Sequence, residues 1–163
     1  MNSKILKFDT SEASLEVVGG KGRSLSEMTL AGLPVPNGFH ITTTNYRDFV
    51  SLNALDQIIL EEANSLGSDT RKSEKIIQLF RANELPTTMK NEIREAYSLL
   101  GRNPPVAVRS SANAEDLPEM SFAGQQDTYL NIIGEEALFA AVRDCWGSLW
   151  TPRAISYRDR MGI

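Results

Sequence analysis

Two polar segments of this chain contain residues suited to binding phosphate, and the first is GGKG at residues 19–22. Glycines let a backbone approach a ligand closely, and the start of a helix presents unpaired N–H groups. Lys21 adds a compact positive charge. The segment is not a P-loop, which would require Gly at position 15 and Ser or Thr at position 22; Leu15 and Gly22 stand there instead. The alternative is an ordinary turn with a solvated lysine.

The second segment begins with VAVRSS at residues 106–111. Arg109 ends a predicted apolar strand, and functional side chains often lie at such junctions between a strand and a loop. Its guanidinium offers a rigid fork of donors that matches phosphate oxygens. The alternative is a structural ion pair between Arg109 and Glu115 or Asp116. This segment therefore predicts either an anion site or a brace within the loop.

Other chemistries are less well supported by the sequence. Ser110 and Ser111 do not lie in a Gly-x-Ser-x-Gly motif, and His40, the single histidine, is far away in the chain, so a serine hydrolase is not favoured. The single cysteine, Cys145, falls on an apolar helix face and predicts packing rather than a disulfide. Acidic residues at 115, 116 and 119 are expected to be solvated, so no metal ligand is assigned within the chain.

Composition limits the class of protein. The 163 residues suit one domain or a large piece of one, with 41% hydrophobic residues. A net charge of -4 and a pI near 5.1 argue against a nucleic-acid surface, which needs a basic stripe. The sequence has no signal peptide and no apolar run long enough to span a bilayer. A cytoplasmic protein without a membrane or nucleic-acid partner is expected.

Hydrophobic periodicity predicts an α+β fold with small mixed sheets and a helical block between them. Strands are predicted at SKILKF and FHITT, within a glycine-rich segment 1–44. A block at 45–103 contains several predicted helices, the first over 45–66. The segment 104–163 then holds a strand, a polar loop, a second strand and two helices, and Thr151 and Pro152 predict the start of the last helix.

Three sequence blocks, taken together, resemble a known family. They are VGGKGRSLSEMTLAGLPVPNGFHITT, PVAVRSSANAEDLPEMSFAGQQDTYLNI and CWGSLWTPRAISYR. In this order they resemble the N-terminal nucleotide-binding domain of phosphoenolpyruvate synthase, pyruvate phosphate dikinase and rifampicin phosphotransferase. The resemblance runs from about Val17 to Arg158. It implies that the chain is the first subdomain of an ATP-grasp type domain and a fragment of a longer protein.

The resemblance also implies roles for individual residues. Lys21 and Arg109 are expected to contact the phosphates of ATP, with Arg109 also catalytic. A loop over residues 121–125 is expected to cover the phosphates, and Thr128 lies where it can contact the nucleotide. The remaining implied nucleotide-binding residues are in that loop: Ser121, Gly124 and Gln125.

The implied reaction moves the β-phosphoryl group of ATP to a histidine on a separate domain and then to pyruvate or a similar acceptor, with release of AMP. Mg²⁺ is the implied metal cofactor, and its ligands are expected outside residues 1–163, as are the histidine domain and the acceptor domain. His40 does not match the phosphohistidine motif, so the isolated chain is expected to be inactive. Two alternatives stay open: a non-catalytic nucleotide-binding or regulatory module, and a rifampicin-type antibiotic phosphotransferase.

Overall fold

The computed structural model describes residues 4–112 and 128–162, except for the side chain of Met161. These residues form two compact units. Within the described ranges, the first unit contains residues 4–48, 87–104 and 111–112, and the second contains residues 49–86, 105–110 and 128–162. Each unit is therefore assembled from segments that are distant in the sequence.

The first unit combines a two-stranded sheet with helices. Strand β1 (Ile5–Lys7) pairs antiparallel with β2 (Phe39–Ile41), so that Leu6 lies opposite His40. Helix α1 (Leu15–Leu30) connects these strands. Gly32, at a φ of 77°, lies just beyond the end of α1, where the sequence predicts a stop. The apolar cluster of this unit joins the sheet to the start of α1 and consists of Leu6, Ala13, Val17 and Val18.

The second unit is mainly helical. Helix α2 (Thr43–Leu52) begins in the first unit and enters the second at residue 49, and α3 (Asp56–Ala63) and α4 (Asp69–Ala82) follow. Helix α5 (Thr87–Ser98) belongs to the first unit and packs beside β1. The described part of the second unit also contains α6 (Glu135–Gly147), a short 3-10 helix (Ser148–Trp150) and α7 (Pro152–Met161).

Aromatic side chains from three helices form the core of the second unit. Phe49 of α2 is fully buried, with its ring centroid 5.6 Å from that of Phe80 and 5.3 Å from that of Trp146. Helices α4 and α6 are also joined by an ion pair in which Arg81 Nε lies 2.8 Å from Asp144 Oδ1. Burial of large rings contributes most of the packing energy at such a position.

A second two-stranded ribbon carries the RSS segment. Strand β3 (Val106–Arg109) pairs antiparallel with β4 (Thr128–Ile132). The register advances by two residues on β3 and by three on β4, so β4 contains a β-bulge. Asn131 lies in this bulge at a φ of 56°, a conformation that asparagine tolerates better than most residues.

The structure confirms the α+β class and corrects several finer predictions. The described sheets are both antiparallel rather than mixed, because two strands alone cannot form both kinds of pairing. The apolar strand 106–109 is not buried, because its residues alternate between half-buried and exposed positions. The single helix predicted over 45–66 is wrong, since α2 and α3 are separated by a break at which Ala54 has a φ of 54°. No helix in the described ranges is long and apolar enough to cross a membrane.

Candidate functional site

The glycine-rich segment forms a sharp turn inside α1. Gly19 has a φ of 71° and a ψ of 177°, so the helix is broken there and resumes at Gly20. A side chain at Gly19 would place its Cβ 2.7 Å from the carbonyl carbon of Ser111, closer than real Cβ contacts occur. Both the backbone angle and the close approach therefore require glycine at this position. The prediction that GGKG opens a helix is confirmed for the stretch of α1 that follows the kink.

The Ser111–Ala112 backbone is hydrogen-bonded to this turn. The Gly22 amide donates to Ser111 Oγ over 3.0 Å, and the Gly20 amide donates to the Ala112 carbonyl over 3.1 Å. From the sequence, the amides at this helix start are expected to be unpaired and available to a ligand. That expectation is wrong for these two amides, because both already have partners within the chain.

A buried histidine is hydrogen-bonded to the same helix. His40 on β2 is 7% exposed, and its Nε2 lies 2.8 Å from the hydroxyl of Ser26 on α1. Its ring lies 4.7 Å from that of Phe8. Burial lowers the pKa of His40 to about 4, so the imidazole is neutral at physiological pH. A Cβ at Gly22 would lie 2.8 Å from Cβ of Val18 and 3.4 Å from Nδ1 of His40, so the helix has no space for a larger residue there.

The Ser26–His40 contact is a serine–histidine pair, but it does not resemble a hydrolase site. Ser26 is 2% exposed, so its hydroxyl cannot meet a substrate without opening the unit. The hydroxyl of Ser111 accepts a hydrogen bond from Gly22 instead of pairing with a histidine. Neither serine is therefore assigned as a nucleophile.

Arg109 and Thr128 are brought together by the β3–β4 ribbon. They are register partners in its last pair, at the end that leads into the polar loop. Both residues are exposed, whereas Ser110 is buried. Lys21 is half-buried and belongs to the other unit. The predicted residues Ser121, Gly124 and Gln125 lie outside the described residues, as do Glu115 and Asp116, the alternative partners of Arg109.

The role of Ser111 toward GGKG is not predicted by the sequence. It joins residues 89 positions apart, which no local pattern reveals. The one available signal is the Gly19–Gly20 pair, which can indicate close approach by another segment of the same protein as well as by a ligand. Among the described residues, no group of three or more His, Cys, Asp and Glu side chains could hold a metal ion.

Comparison with known proteins assigns this arrangement to a family. Residues 15–163 match the family model described as pyruvate phosphate dikinase, AMP/ATP-binding domain. This match covers both the glycine-rich turn and the RSS segment that is hydrogen-bonded to it. The chain therefore belongs to the family of pyruvate phosphate dikinase AMP/ATP-binding domains.

Individual relatives agree with the family match. The chain is 46% identical to a probable phosphoenolpyruvate synthase of Methanocaldococcus jannaschii, over 95% of this chain and 14% of that protein. It is 45% identical to the phosphoenolpyruvate synthase of Aeropyrum pernix, over 95% of this chain and 20% of that protein. It is 39% identical to the rifampicin phosphotransferase of Bacillus subtilis, over all of this chain and 20% of that protein. The chain thus spans a fifth or less of the length of these three relatives.

Proposed function

We propose that this chain is the ATP-binding region of a dikinase-type phosphotransferase. In this proposal the parent protein transfers the β-phosphoryl group of ATP to a histidine on another domain and then to pyruvate or a similar acceptor. AMP is released, and the γ-phosphoryl group passes to water or to inorganic phosphate. The observation that carries the proposal is that the GGKG and RSS segments, the two elements of the family pattern suited to phosphate, are hydrogen-bonded through Gly22 and Ser111.

In the proposed site, Lys21 and Arg109 each contact phosphate oxygens of the nucleotide. Phosphoryl transfer depends mainly on positioning and on neutralising charge, so cations are the side chains it needs most. Lysine supplies a point charge, whereas arginine can bind two oxygens at once. Arg109 is also the proposed catalytic residue, because its guanidinium can donate hydrogen bonds to the phosphoryl oxygens on which negative charge develops during transfer. Its exposed position at the end of β3 is compatible with this role.

The polar loop is proposed to complete the phosphate site. Its hydroxyl and amide groups would cover the triphosphate, and Gly124 would let the backbone approach it closely. Thr128 is proposed to contact the nucleotide, and its pairing with Arg109 supports a shared position at the mouth of the loop. The other proposed contacts in the loop are Ser121 and Gln125.

Mg²⁺ is the proposed metal cofactor, and it would neutralise charge on the phosphates when bound. Acidic or amide oxygens are the ligands that Mg²⁺ prefers. As the resemblance to the dikinase family implies, we propose that its ligands come from outside this chain.

The proposed architecture is the first subdomain of an ATP-grasp domain within a longer, cytoplasmic protein. Its three segments are the glycine-rich stretch over residues 1–44, the helical block 45–103 and the RSS-containing stretch 104–163. Its proposed partners are the second half of the ATP-grasp domain, a phosphohistidine domain and an acceptor-binding domain. The greater length of the relatives supports these partners. Two of those relatives are named as phosphoenolpyruvate synthases, which favours pyruvate as the acceptor.

Two rival functions follow from particular observations. The relative named rifampicin phosphotransferase supports an antibiotic acceptor as the second candidate. A non-catalytic nucleotide-binding or regulatory module is the third, and the paired helix-start amides of Gly20 and Gly22 favour it, since they leave fewer groups for phosphate.

Labelled ATP distinguishes these candidates. The full-length protein is incubated with Mg²⁺ and ATP labelled at either the β- or the γ-phosphate, and AMP is measured alongside protein-bound label. The dikinase proposal expects AMP and persistent acid-labile label from β-labelled ATP, whereas label from γ-labelled ATP is expected to finish as inorganic phosphate or pyrophosphate and to be bound to the protein only transiently. Nucleotide binding without AMP formation would favour the non-catalytic module. Transfer of the label to pyruvate or to rifampicin then identifies the acceptor.

A further inference from the structure

Two hydrogen bonds hold the backbone on both sides of Lys21. The amide before Lys21, that of Gly20, donates to the Ala112 carbonyl over 3.1 Å, and the amide after it, that of Gly22, donates to Ser111 Oγ over 3.0 Å. Gly20 and Gly22 are buried, and Ser111 is half-buried. Hydrogen bonds that are shielded from water restrict a backbone more strongly than exposed ones.

The turn at Gly19 makes this arrangement possible. Its positive φ directs the chain past Ser111, and a Cβ at Gly19 would collide with the Ser111 backbone. Any other residue at position 19 would push Ser111 away from the Gly22 amide. The absence of a side chain at Gly19 therefore allows Ser111 of the same chain to approach closely.

The same stretch of α1 also lies against β2. A Cβ added at Gly22 would lie 2.8 Å from Cβ of Val18 and 3.4 Å from Nδ1 of His40, so these groups leave no space for a side chain at Gly22. His40 is itself held by the Ser26 hydroxyl and by Phe8. Residues 20–22 are therefore hydrogen-bonded to Ser111 and Ala112 and lie close to His40, so the backbone on both sides of Lys21 is restrained.

We propose that Ser111 is a positioning residue for Lys21. Its hydroxyl, together with the next carbonyl, sets the backbone from which the Lys21 ammonium reaches the nucleotide phosphates. Ser111 does not itself contact the nucleotide in this proposal. The proposal rests on the proposed function, specifically on contact between Lys21 and phosphate, and it adds a residue whose removal weakens that contact without removing the charge.

A double-mutant cycle tests this proposal in the full-length protein. The KM for ATP and kcat for AMP formation are measured for the wild type, Ser111→Ala, Lys21→Ala and the double variant. If Ser111 acts through Lys21, Ser111→Ala raises the KM for ATP about three- to tenfold, the effect of one neutral hydrogen bond. On the Lys21→Ala background the same change then adds less than about twofold, because the residue it positions is gone.

The outcomes separate positioning from a structural role. An equal rise in KM on both backgrounds, or no rise from Ser111→Ala alone, would overturn the positioning role while leaving the phosphate contact intact. If Lys21→Ala itself leaves the KM for ATP unchanged, the phosphate contact in the proposed function fails, and the positioning role fails with it.

Two further variants complete the design. Ser98→Ala removes another hydrogen-bonded hydroxyl from the same unit, far from residues 19–22 in the sequence, and should leave the KM for ATP unchanged. If Ser111→Ala does not fold, Ser111→Cys replaces the hydroxyl with a weaker acceptor of similar size. Its KM should change in the same direction by a smaller factor, and an unchanged KM for ATP would overturn the proposal.

Discussion

Arg109 and Thr128 face each other as the last register partners of the β3–β4 ribbon. The chain leaves this pair into the polar loop on one side and returns from it on the other. Two residues predicted from separate positions of a family pattern are thus neighbours in the structure, and both are exposed. Two residues of the proposed phosphate site are therefore adjacent because β3 pairs with β4.

Replacement of Lys21 should affect nucleotide binding far more than folding. Lys21→Ala removes one charged contact to phosphate, so ATP affinity should fall about ten- to hundredfold. The melting temperature without ligand should barely move, because Lys21 does not belong to the buried core. Calorimetric titration of ATP and a thermal melt measure the two effects.

A matched lysine provides the control for this prediction. Lys7 on β1 is exposed and lies in the same unit, so Lys7→Ala makes the same change of charge without the proposed contact. Its ATP affinity should match that of the wild type. A large loss of apo stability in Lys21→Ala with normal ATP affinity would instead favour the ordinary-turn alternative.

Replacement of Gly19 should be more damaging than replacement of another glycine with the same backbone angle. Gly19→Ala combines the strain of a φ of 71° with a ψ of 177°, a region that is essentially restricted to glycine and costs about 1–3 kcal/mol, with a clash against Ser111. Gly32 has a φ of 77° and no atom within 4 Å of an added Cβ, so Gly32→Ala has only the strain. Chemical denaturation should give a larger loss of unfolding free energy for Gly19→Ala. Equal losses would show that Ser111 can move away without cost.

His40 should make the stability of the chain depend on pH. Burial lowers the pKa of His40 in the folded state to about 4, whereas the unfolded chain binds this proton near pH 6.5. The unfolded state therefore holds the extra proton between these values, and His40 contributes a loss of stability as the pH falls from about 6.5 to about 4. One proton gives a slope of at most about 1.4 kcal/mol per pH unit.

The matching variant is His40→Gln, which lacks the titration but can still contact Ser26. Above pH 6.5, the unfolding free energy should depend on pH in the same way in both proteins. Below pH 6.5, the unfolding free energy of the wild type should fall more steeply than that of His40→Gln. Parallel curves from pH 7 to pH 4 would mean that the folded protein protonates His40 as readily as the unfolded chain does.

His40 should also remain unphosphorylated. Its Nε2 contacts Ser26 and its ring is buried, so the imidazole is not accessible to ATP. After incubation of the full-length protein with β-labelled ATP, the tryptic peptide spanning residues 24–47, which holds this histidine, should carry no acid-labile label. Stable label in this peptide would reassign the phosphoryl acceptor to His40.

The sequence predicted local features of the fold better than contacts between distant segments. Thr151 and Pro152 signalled the start of α7, and the Thr151 hydroxyl does accept from the amide of Ala154. In contrast, the helix predicted over 45–66 includes Leu52 and Leu66, which fall near helical spacing with other apolar residues and yet are 70% and 99% exposed. A periodic pattern cannot reveal a break when exposed leucines continue the period across it.

The same contrast between local patterns and contacts between distant segments applies to the candidate site. Residue chemistry identified Lys21 and Arg109 as candidates for phosphate contact but left a solvated lysine and a brace within the loop as alternatives, and the family resemblance then favoured phosphate. The hydrogen bonds from the Gly22 and Gly20 amides to Ser111 and Ala112 depend on tertiary structure, and no periodic pattern in the sequence reveals them. Sequence reasoning therefore overestimated how open the glycine-rich turn is.

Arg109 is proposed to act through its bidentate fork. Arg109→Lys keeps the charge but loses the two parallel hydrogen bonds, and Arg109→Ala loses both charge and fork. Arg102→Lys is the matched control, since Arg102 is exposed and carries no proposed role. If Arg109 instead braces the loop, Glu115→Gln or Asp116→Asn would reproduce its defect, and all these variants would lose thermal stability.

The rate of AMP release by the Arg109→Lys variant tests the phosphate-binding role most directly. It is measured in the full-length protein at saturating acceptor, beside the wild type and Arg102→Lys, with thermal melts to confirm folding. Loss of a charged hydrogen bond predicts a rate about ten- to hundredfold below that of the wild type, with Arg102→Lys unchanged and with apo melting temperatures equal. A folded Arg109→Lys protein that releases AMP at the wild-type rate would contradict the proposed role of Arg109.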